Sequence, residues 1–243
     1  MDSEIKLKDL NLNENLLLDK LALIDFAFQE VITNPQSFAD LGGVWNVEGG
    51  YTFYPLEKYD IKSAFLVDLA FTDGVKEKSN KYNNLTLING NFGDKKVINQ
   101  LGNVDAIFLF DVLLHQVNPN WDDILTLYSS VSDCLVIYNQ QFINSENTVR
   151  LLDLGYDEYV ENTHYTKDNP TLNTVFANMY DMHPTKQRIW KDITDIWQWG
   201  ITDNDLCDKM ETLGYTLKYY KNCGRMNYQT KNWEDHAFIF QRQ

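Results

Sequence analysis

The chain has 243 residues, of which 44% are hydrophobic, and it carries a formal net charge of −14. This length is sufficient for one large α/β domain with a full core. The strong negative charge, without any cluster of lysine and arginine, argues against binding to nucleic acid or to anionic membranes. Its three cysteines are widely spaced and odd in number, which predicts neither a disulfide framework nor a zinc site and favours a reducing cytoplasm.

The N-terminal region contains one amphipathic helical pattern. Its apolar residues recur at helical spacing and are Leu17, Leu21, Ile24, Phe28 and Val31. Charges at Asp19, Lys20 and Asp25 interrupt the apolar run too soon for a bilayer span, and the run lacks the basic start of a signal peptide. We interpret residues 1–36 as a helical extension that packs on a sheet or covers a ligand.

Short apolar runs alternate with helical segments through the centre of the chain. Five runs predict buried strands, at residues 38–41, 65–67, 85–88, 106–110 and 135–138. The segments between them, including VKEKSNKY, KKVINQL and WDDILTLYSSV, suit right-handed crossover helices. Alternation of this kind predicts a doubly wound, mainly parallel sheet in an α/β domain.

The last part of the chain predicts a helix and a closing pair of strands. Thr202 and Asp205 resemble a capping box, Gly214 predicts the end of that helix, and YTLKYYK and AFIFQ read as strands. Residues 144–200 are irregular and polar, with helix-like pieces, and predict an insertion that covers an active site. We therefore predict a single domain over residues 1–243.

Acids and glycines follow the first two predicted strands. Gly42 and Gly43 come directly after the strand that contains Asp40, and Asp68 closes the second run. Glycine allows the backbone to turn sharply and to approach a ligand, and a strand-end carboxylate accepts hydrogen bonds from ribose hydroxyls. The pattern predicts a site for an adenosine-bearing cofactor at the carboxyl edge of the sheet.

The order of these elements resembles the class I S-adenosylmethionine-dependent methyltransferases. The resemblance extends from about residue 38 to the C-terminus, with residues 144–200 as an addition, and it implies a seven-stranded sheet with a C-terminal antiparallel hairpin. The sequence DLGG from Asp40 to Gly43 matches the family's acid and glycine-rich loop. Val44 and Asn46 stand where further glycines are usual.

The resemblance implies further cofactor-binding residues. Asp68 stands where the family's ribose-binding acid belongs, and Leu69 follows it. The segment NGNFGD resembles the adenine-contacting segment, with Asn91 in place of the usual acid and Phe92 against the ring. The stretch VDAIFLFDVLLHQV resembles the part of the family that lies alongside the sulfonium, so Asp111 is expected to reach the pocket.

Three histidines are candidate catalytic residues. For an alcohol acceptor, methyl transfer requires alignment of the nucleophile and removal of a proton. His115 follows the fourth strand and is the favoured base, although bonding to local backbone is an equal alternative. His183 lies in the predicted cover, and His236 is placed at the start of the last strand. No spacing of ligating residues demands a metal, although scattered acids leave a magnesium site open.

We therefore predict a cytoplasmic enzyme that uses S-adenosyl-L-methionine to methylate, at oxygen or nitrogen, a small polar or sugar-like acceptor. Two alternatives stay open. One is an NAD(P)-dependent Rossmann oxidoreductase or epimerase, whose G-x-G-x-x-G spacing the first loop lacks. The other is a noncatalytic S-adenosylmethionine-binding protein. The aromatic residues of 144–200 are expected to shape the acceptor pocket, with packing or homodimer formation as the alternative.

Overall fold

A seven-stranded sheet forms the centre of the protein in the computed structural model, which describes residues 16–225 and 231–242. Residues 1–15 of the predicted N-terminal extension lie outside these ranges. The strands are β1 (Ser37–Leu41), β2 (Ser63–Asp68), β3 (Leu85–Asn89), β4 (Ala106–Phe110), β5 (Cys134–Phe142), β6 (Val149–Arg150), β7 (Trp199–Gly200), β8 (Tyr215–Asn222) and β9 (Trp233–Arg242).

The strand order is β3-β2-β1-β4-β5-β9-β8, and β6 and β7 pair separately. Strands β1 to β5 run parallel, whereas β9 is antiparallel to both β5 and β8. The carboxyl ends of β1, β2, β4 and β5 and the start of β9 therefore meet at one edge of the sheet. This arrangement confirms the predicted α/β fold with its C-terminal hairpin.

Eight α-helices cover the two faces of the sheet and its carboxyl edge in the described residues. They are α1 (Leu18–Phe26), α2 (Gly50–Lys58), α3 (Asp73–Ser79), α4 (Lys95–Leu101), α5 (Trp121–Tyr128), α6 (Tyr156–Asn162), α7 (Pro170–Ala177) and α8 (Asp203–Thr212). Side chains of α1, α2 and α3 join one buried cluster, and those of α4, α5 and α8 join the cluster on the opposite face. None of these helices combines the length and apolarity needed to cross a bilayer.

Local sequence explains where several helices begin and end. Asn120 and Asp123 form a reciprocal capping box at the start of α5. The Thr202 hydroxyl accepts the backbone N–H of Asp205 at the start of α8, 3.4 Å away. The Asp205 carboxylate does not complete a box; it accepts the N–H of Thr148 in the inserted segment. Helix α8 ends just before Gly214, whose φ of +82° favours glycine.

The core consists of close-packed aliphatic and aromatic side chains on both faces of the sheet. On the α1 face, the rings of Phe38 and Phe108 stack with their centroids 4.9 Å apart. On the other face, Leu109, Ile137 and Phe238 are fully buried. Each such side chain contributes about 1.5–3 kcal/mol through removal of apolar surface from water.

Strands β5 and β9 are longer than their apolar runs predict. Strand β5 continues to Phe142, and β9 begins at Trp233 rather than at residue 237. The two strands pair over their full overlap, from Cys134 with Gln241 to Phe142 with Trp233. Backbone hydrogen bonding therefore carries polar residues along with the apolar ones, and it places the polar ends of both strands at the carboxyl edge.

The segment 144–200 lies against this carboxyl edge. The backbone N–H of Gln198 donates to the carbonyl of Leu114, and the Trp199 indole N–H donates to the carbonyl of Gln116, at 3.0 and 2.6 Å. Phe142 and Trp233, at the ends of β5 and β9, pack into the segment's own buried cluster. The segment is thereby attached to the residues that follow β4 and to the edge of the sheet.

Candidate active site

The loop after β1 makes a tight turn at Gly42. Its N–H donates to the carbonyl of Val67 on β2 at 2.8 Å, and its φ is +77°. A Cβ at this position would lie 2.8 Å from Cγ1 of Val112 and 3.6 Å from the ring of Phe92. Glycine is therefore required both by the left-handed backbone and by the close approach of the residues after β3 and β4.

The second glycine of the loop makes room for a buried acid. Asp40 is 1% exposed, and its carboxylate accepts a hydrogen bond of 2.6 Å from the Thr52 hydroxyl. A Cβ on Gly43 would lie 2.3 Å from Oδ2 of that carboxylate. Burial raises the pKa of Asp40 to about 7, with Thr52 and Lys20 opposing the rise and the Asp68 charge adding to it. The buried Asp40 side chain therefore packs against the loop at Gly43.

Asp68 ends β2 beside the same loop and is only partly buried. Its Oδ2 accepts the backbone N–H of Val44 at 3.0 Å, and its Oδ1 has a weaker contact of 3.4 Å with the N–H of Ala70. Leu69 and Trp45, which adjoin this bonded pair in sequence, are 68% and 85% exposed. The Asp68 carboxylate can thus accept a further hydrogen bond, and exposed apolar residues adjoin both members of the bonded pair in sequence.

The segment after β3 supports the loop from the side. Phe92 is 9% exposed and contacts Gly42, and its carbonyl accepts the Tyr128 hydroxyl at 2.8 Å. The side-chain oxygen of Asn91 accepts the N–H of Gly93 at 2.8 Å. Its amide N–H₂ group makes no hydrogen bond within the described parts of the chain, so it is free to donate to a ligand.

Asp111 follows β4 and is the centre of a polar network. Its φ of +58° is unusual for a residue other than glycine. Gln140 donates from Nε2 to Oδ1 of Asp111 at 2.7 Å and to Oδ1 of Asp235 at 3.2 Å. Lys20 of α1 forms an ion pair with Oδ2 of Asp111. Burial, together with the charge of Asp111, raises the pKa of Asp235 to about 6.

His115 is held in one tautomer by the inserted segment. Its Nδ1 lies 3.1 Å from the carbonyl oxygen of Ile196, which can only accept, so Nδ1 carries the proton and Nε2 presents a lone pair. Burial lowers the pKa of His115, although the bond to Ile196 and the charge of Asp111 oppose that change. A neutral imidazole with an available Nε2 is the form that a general base needs.

His236 lies on the face of the sheet that α8 covers, and it is the fourth residue of β9 rather than the residue before the strand. Its Nδ1 is 2.8 Å from Oδ1 of Asp203 and its Nε2 is 3.4 Å from Glu234. Burial lowers the pKa of His236, but these carboxylates outweigh burial and leave the pKa raised. With an acid at each ring nitrogen, His236 is suited to hold a proton rather than to accept one.

The third predicted histidine makes contacts within its own segment. His183 accepts the backbone N–H of Thr185 at Nδ1, 3.2 Å away. Its ring packs against Trp190 in a tilted arrangement, with the centroids 4.1 Å apart. The structure thus brings together Asp40, Gly42, Gly43, Asp68, Leu69, Asn91, Phe92 and Asp111 around one loop, with His115 close enough for the Asp111 charge to act on it.

Two residues of this site are not among the site residues predicted from the sequence. Lys20 is 4% exposed although it carries a charge, and Asp235 reaches Gln140 from β9. A lysine inside an apolar helical stripe was the available signal for the first. Asp235 gave none, because only the pairing of β5 with β9 brings it to Asp111.

Other candidate locations are less suited to this chemistry. A cavity of about 420 Å³, with Thr33, Ser130 and Arg242 in its wall, lies at the amino edge of the sheet, opposite the loop. Its wall contains none of the predicted site residues. In residues 16–225 and 231–242, no group of three or more His, Cys, Asp or Glu side chains is arranged to hold a metal ion.

The comparisons with known proteins identify similar structures but no similar sequence. No protein-family model and no curated protein matches the chain. The N-terminal domain of EvdMO1, solved in the presence of S-adenosylhomocysteine and D-fucose, is similar with a TM-score of 0.60 and 12% identity, over 95% of this chain and 85% of that one.

Two further structures show the same likeness. One is the Burkholderia thailandensis 1,6-didemethyltoxoflavin-N1-methyltransferase with bound 1,6-didemethyltoxoflavin and S-adenosylhomocysteine; its TM-score is 0.58 and its identity 11%, over 93% of this chain and 79% of that one. The other is coclaurine N-methyltransferase bound to N-methylheliamine and S-adenosylhomocysteine. Its TM-score is 0.57 and its identity 12%, over 94% of this chain and 75% of that one. The chain therefore has the fold of the class I S-adenosylmethionine-dependent methyltransferases, as its sequence predicts.

Proposed function

We propose that the protein is an S-adenosylmethionine-dependent methyltransferase that acts on a small polar, sugar-like acceptor. One observation carries the proposal: the partly exposed Asp68 carboxylate is bonded to the glycine loop through Val44, at the carboxyl edge of a methyltransferase fold. A strand-end acid that both shapes the loop and keeps an oxygen available is suited to hold ribose hydroxyls.

The residues present fit this cofactor. Asp68 would hold the ribose, while Leu69, Phe92 and the amide of Asn91 would face the adenine. The turn at Gly42 lets the loop backbone approach the ligand closely. S-adenosylmethionine, when bound, supplies a methyl group on a positively charged sulfonium.

His115 would act as the base for an alcohol acceptor. The acceptor hydroxyl would give its proton to Nε2 of His115, so that the acceptor oxygen could take the methyl group that the cofactor would supply. The carbonyl of Ile196 keeps the proton on Nδ1, so that Nε2 stays available. The inserted segment would thus both cover the acceptor and fix the tautomer of the base.

The proposed acceptor class rests on the polar groups next to Asp111 and on the similar solved structures. Gln140 and Asp235, which lie next to Asp111, offer amide and carboxyl groups that suit a hydroxylated molecule. One similar structure was solved in the presence of D-fucose, whereas two similar enzymes are N-methyltransferases by name. An amine is therefore the second candidate acceptor, and its proton would go to the same base.

We also propose that the protein works in the reducing cytoplasm. Its three cysteines, Cys134, Cys207 and Cys223, are free thiols. The cover role of residues 144–200 belongs to the same proposal, with homodimer formation through that segment as its alternative.

Calorimetric titration with S-adenosylmethionine, S-adenosylhomocysteine and NAD tests the proposal. We expect saturable binding of the first two and none of NAD. Binding of NAD alone would favour the oxidoreductase alternative. Binding of both adenosylated ligands without turnover of any acceptor, in a protein whose His115→Ala variant behaves identically, would favour a noncatalytic binding protein.

A further inference from the structure

Lys20 on α1 is a buried cation at the carboxyl edge of the sheet. Its side chain is 4% exposed and forms an ion pair with Asp111, whose side chain is 37% exposed. Burial of a charged ammonium costs free energy unless the charge is paired. Asp111 supplies that pairing, but an apolar residue at this position of α1 would avoid the cost altogether.

Aromatic rings complete the surroundings of the ammonium. Nζ of Lys20 lies 5.3, 5.9 and 4.8 Å from the ring centroids of Tyr51, Phe110 and Tyr138. All three distances are within the range of cation–π attraction. The rings belong to α2, β4 and β5, so α1 places its cation where three elements of the site converge.

The position of α1 over the site is fixed by other contacts. The backbone N–H of Leu17 donates to the Tyr51 hydroxyl at 3.0 Å. At the other end of the helix, Asp25 accepts hydrogen bonds from Tyr54 and Lys58 of α2, at 2.8 and 2.7 Å. These contacts hold α1 on α2 without Lys20, so anchoring of the helix does not account for the buried lysine.

The Lys20–Asp111 pair presents one positive and one negative group side by side. A ligand with a neighbouring ammonium and carboxylate is the chemical complement of such a pair, because each of its charges can replace the partner that the protein charge gives up. The exchange leaves no buried charge unpaired. The methionine end of an adenosylated cofactor is a ligand of this class.

We propose that Lys20 binds the α-carboxylate of the cofactor while Asp111 binds its α-ammonium. This inference rests on the proposed function. It makes Lys20 a binding residue contributed by the N-terminal helix, and it assigns α1 to the cofactor site as well as to the core.

Affinities of two ligands separate this role from a structural one. S-adenosylhomocysteine carries the amino-acid end, whereas 5′-methylthioadenosine lacks it. Calorimetry on Lys20→Met should show about a tenfold or greater loss of affinity for S-adenosylhomocysteine, typical of a charge-assisted hydrogen bond. The affinity for 5′-methylthioadenosine should stay unchanged, which also shows that the variant is folded. Lys20→Arg keeps the charge and should retain most of the affinity that Lys20→Met loses.

Lys58→Met is the matched control. Lys58 pairs with Asp25 and lies over the rings of Tyr54 and Tyr59, at 5.2 and 5.6 Å, but away from Asp111. Its loss removes an equivalent contact between α1 and α2 and should leave both ligands bound as in the wild type.

Two outcomes would overturn the inference: equal losses for both ligands in Lys20→Met, or no loss for either. If Lys20→Met does not fold, Lys20→Arg and Asp111→Asn provide the same comparison. Failure of the wild type to bind either ligand would instead contradict the proposed function.

Discussion

Asp40 and Asp68 end neighbouring strands, but their surroundings give them different roles. Asp40 is buried against Thr52 and Gly43, whereas Asp68 keeps part of its carboxylate accessible. From the sequence both acids read as ligands of the cofactor. Only the packing of the loop shows that Asp40 faces inwards and Asp68 faces the rim.

Replacement of Asp68 should weaken cofactor binding. We expect Asp68→Ala to lose about 1.5–3 kcal/mol of S-adenosylhomocysteine binding free energy, as for a charge-assisted hydrogen bond to ribose. Part of the loss will come from the loop, because Val44 loses its acceptor. Calorimetry measures the change, with the exposed Asp73→Ala as the control. Wild-type affinity in a folded Asp68→Ala protein would remove Asp68 from the site.

The buried Asp40 should make stability depend on pH. Its pKa is raised from 3.8 to about 7, so its protonated form is favoured in the folded state. The corresponding stability is full below pH 3.8 and is lost as the pH rises through about 7. In urea titrations, Asp40→Asn should be more stable than the wild type at pH 8, by an amount on the order of a few kcal/mol. Equal pH dependence of the two proteins between pH 6 and 8 would contradict this account.

His115 should set the acidic limb of the activity profile. Since its pKa is lowered by burial, it stays neutral at pH 7, and turnover should fall only when the pH drops below the ordinary histidine value of 6.5. His115→Ala should lose turnover by about 10²–10⁴-fold and lose this limb, while the affinity for S-adenosylhomocysteine stays constant. A His115→Ala enzyme with wild-type rates would transfer the role of base to another group, such as Asp235.

At the scale of elements, the sequence predicts the strands well where burial alone decides. Strand β4 has its predicted bounds, and β1 to β3 extend beyond theirs by no more than two residues at either end. The polar ends of β5 and β9 are not predictable in this way, because long-range pairing rather than apolar periodicity defines them. The network of Asp111, Gln140 and Asp235 depends on that pairing.

The sequence also predicts the glycine loop after β1 only in part. The sequence correctly marks Gly42 as a turn, and the structure gives its φ as +77°. The Asp40 carboxylate by itself requires glycine at position 43. Because Val112 also fills the space beside Gly42, a Gly42→Val substitution would strain the protein itself as well as obstruct a cofactor.

The inserted segment should affect the acceptor more than the cofactor. It binds the residues after β4 through Leu114, His115 and Gln116. We expect His183→Ala with Trp190→Ala to lower turnover while leaving S-adenosylmethionine affinity nearly unchanged, because this pair of rings belongs to the proposed cover. Kinetics and calorimetry on the double variant check this, with Asp168→Ala, an exposed and non-aromatic position of the same segment, as control. A parallel fall in cofactor affinity would contradict the assignment of the segment as an acceptor cover.

At the scale of the whole molecule, the fold follows from the alternation of strands and helices, whereas the site follows from contacts between distant parts. Lys20, Asp111 and Asp235 are brought together from α1, the end of β4 and β9. No local pattern links them, so the sequence predicts the edge at which the site lies but not its charged centre.

The most direct test of the account is a crystal structure of the protein with S-adenosylhomocysteine. We predict that the adenosine lies beside Asp68 and Leu69 and that the amino-acid end reaches Lys20 and Asp111. Two results would contradict the assignment of this protein as an S-adenosylmethionine-dependent methyltransferase. One is a ligand bound in the cavity at the amino edge of the sheet, and the other is no bound ligand in crystals grown at saturating concentration.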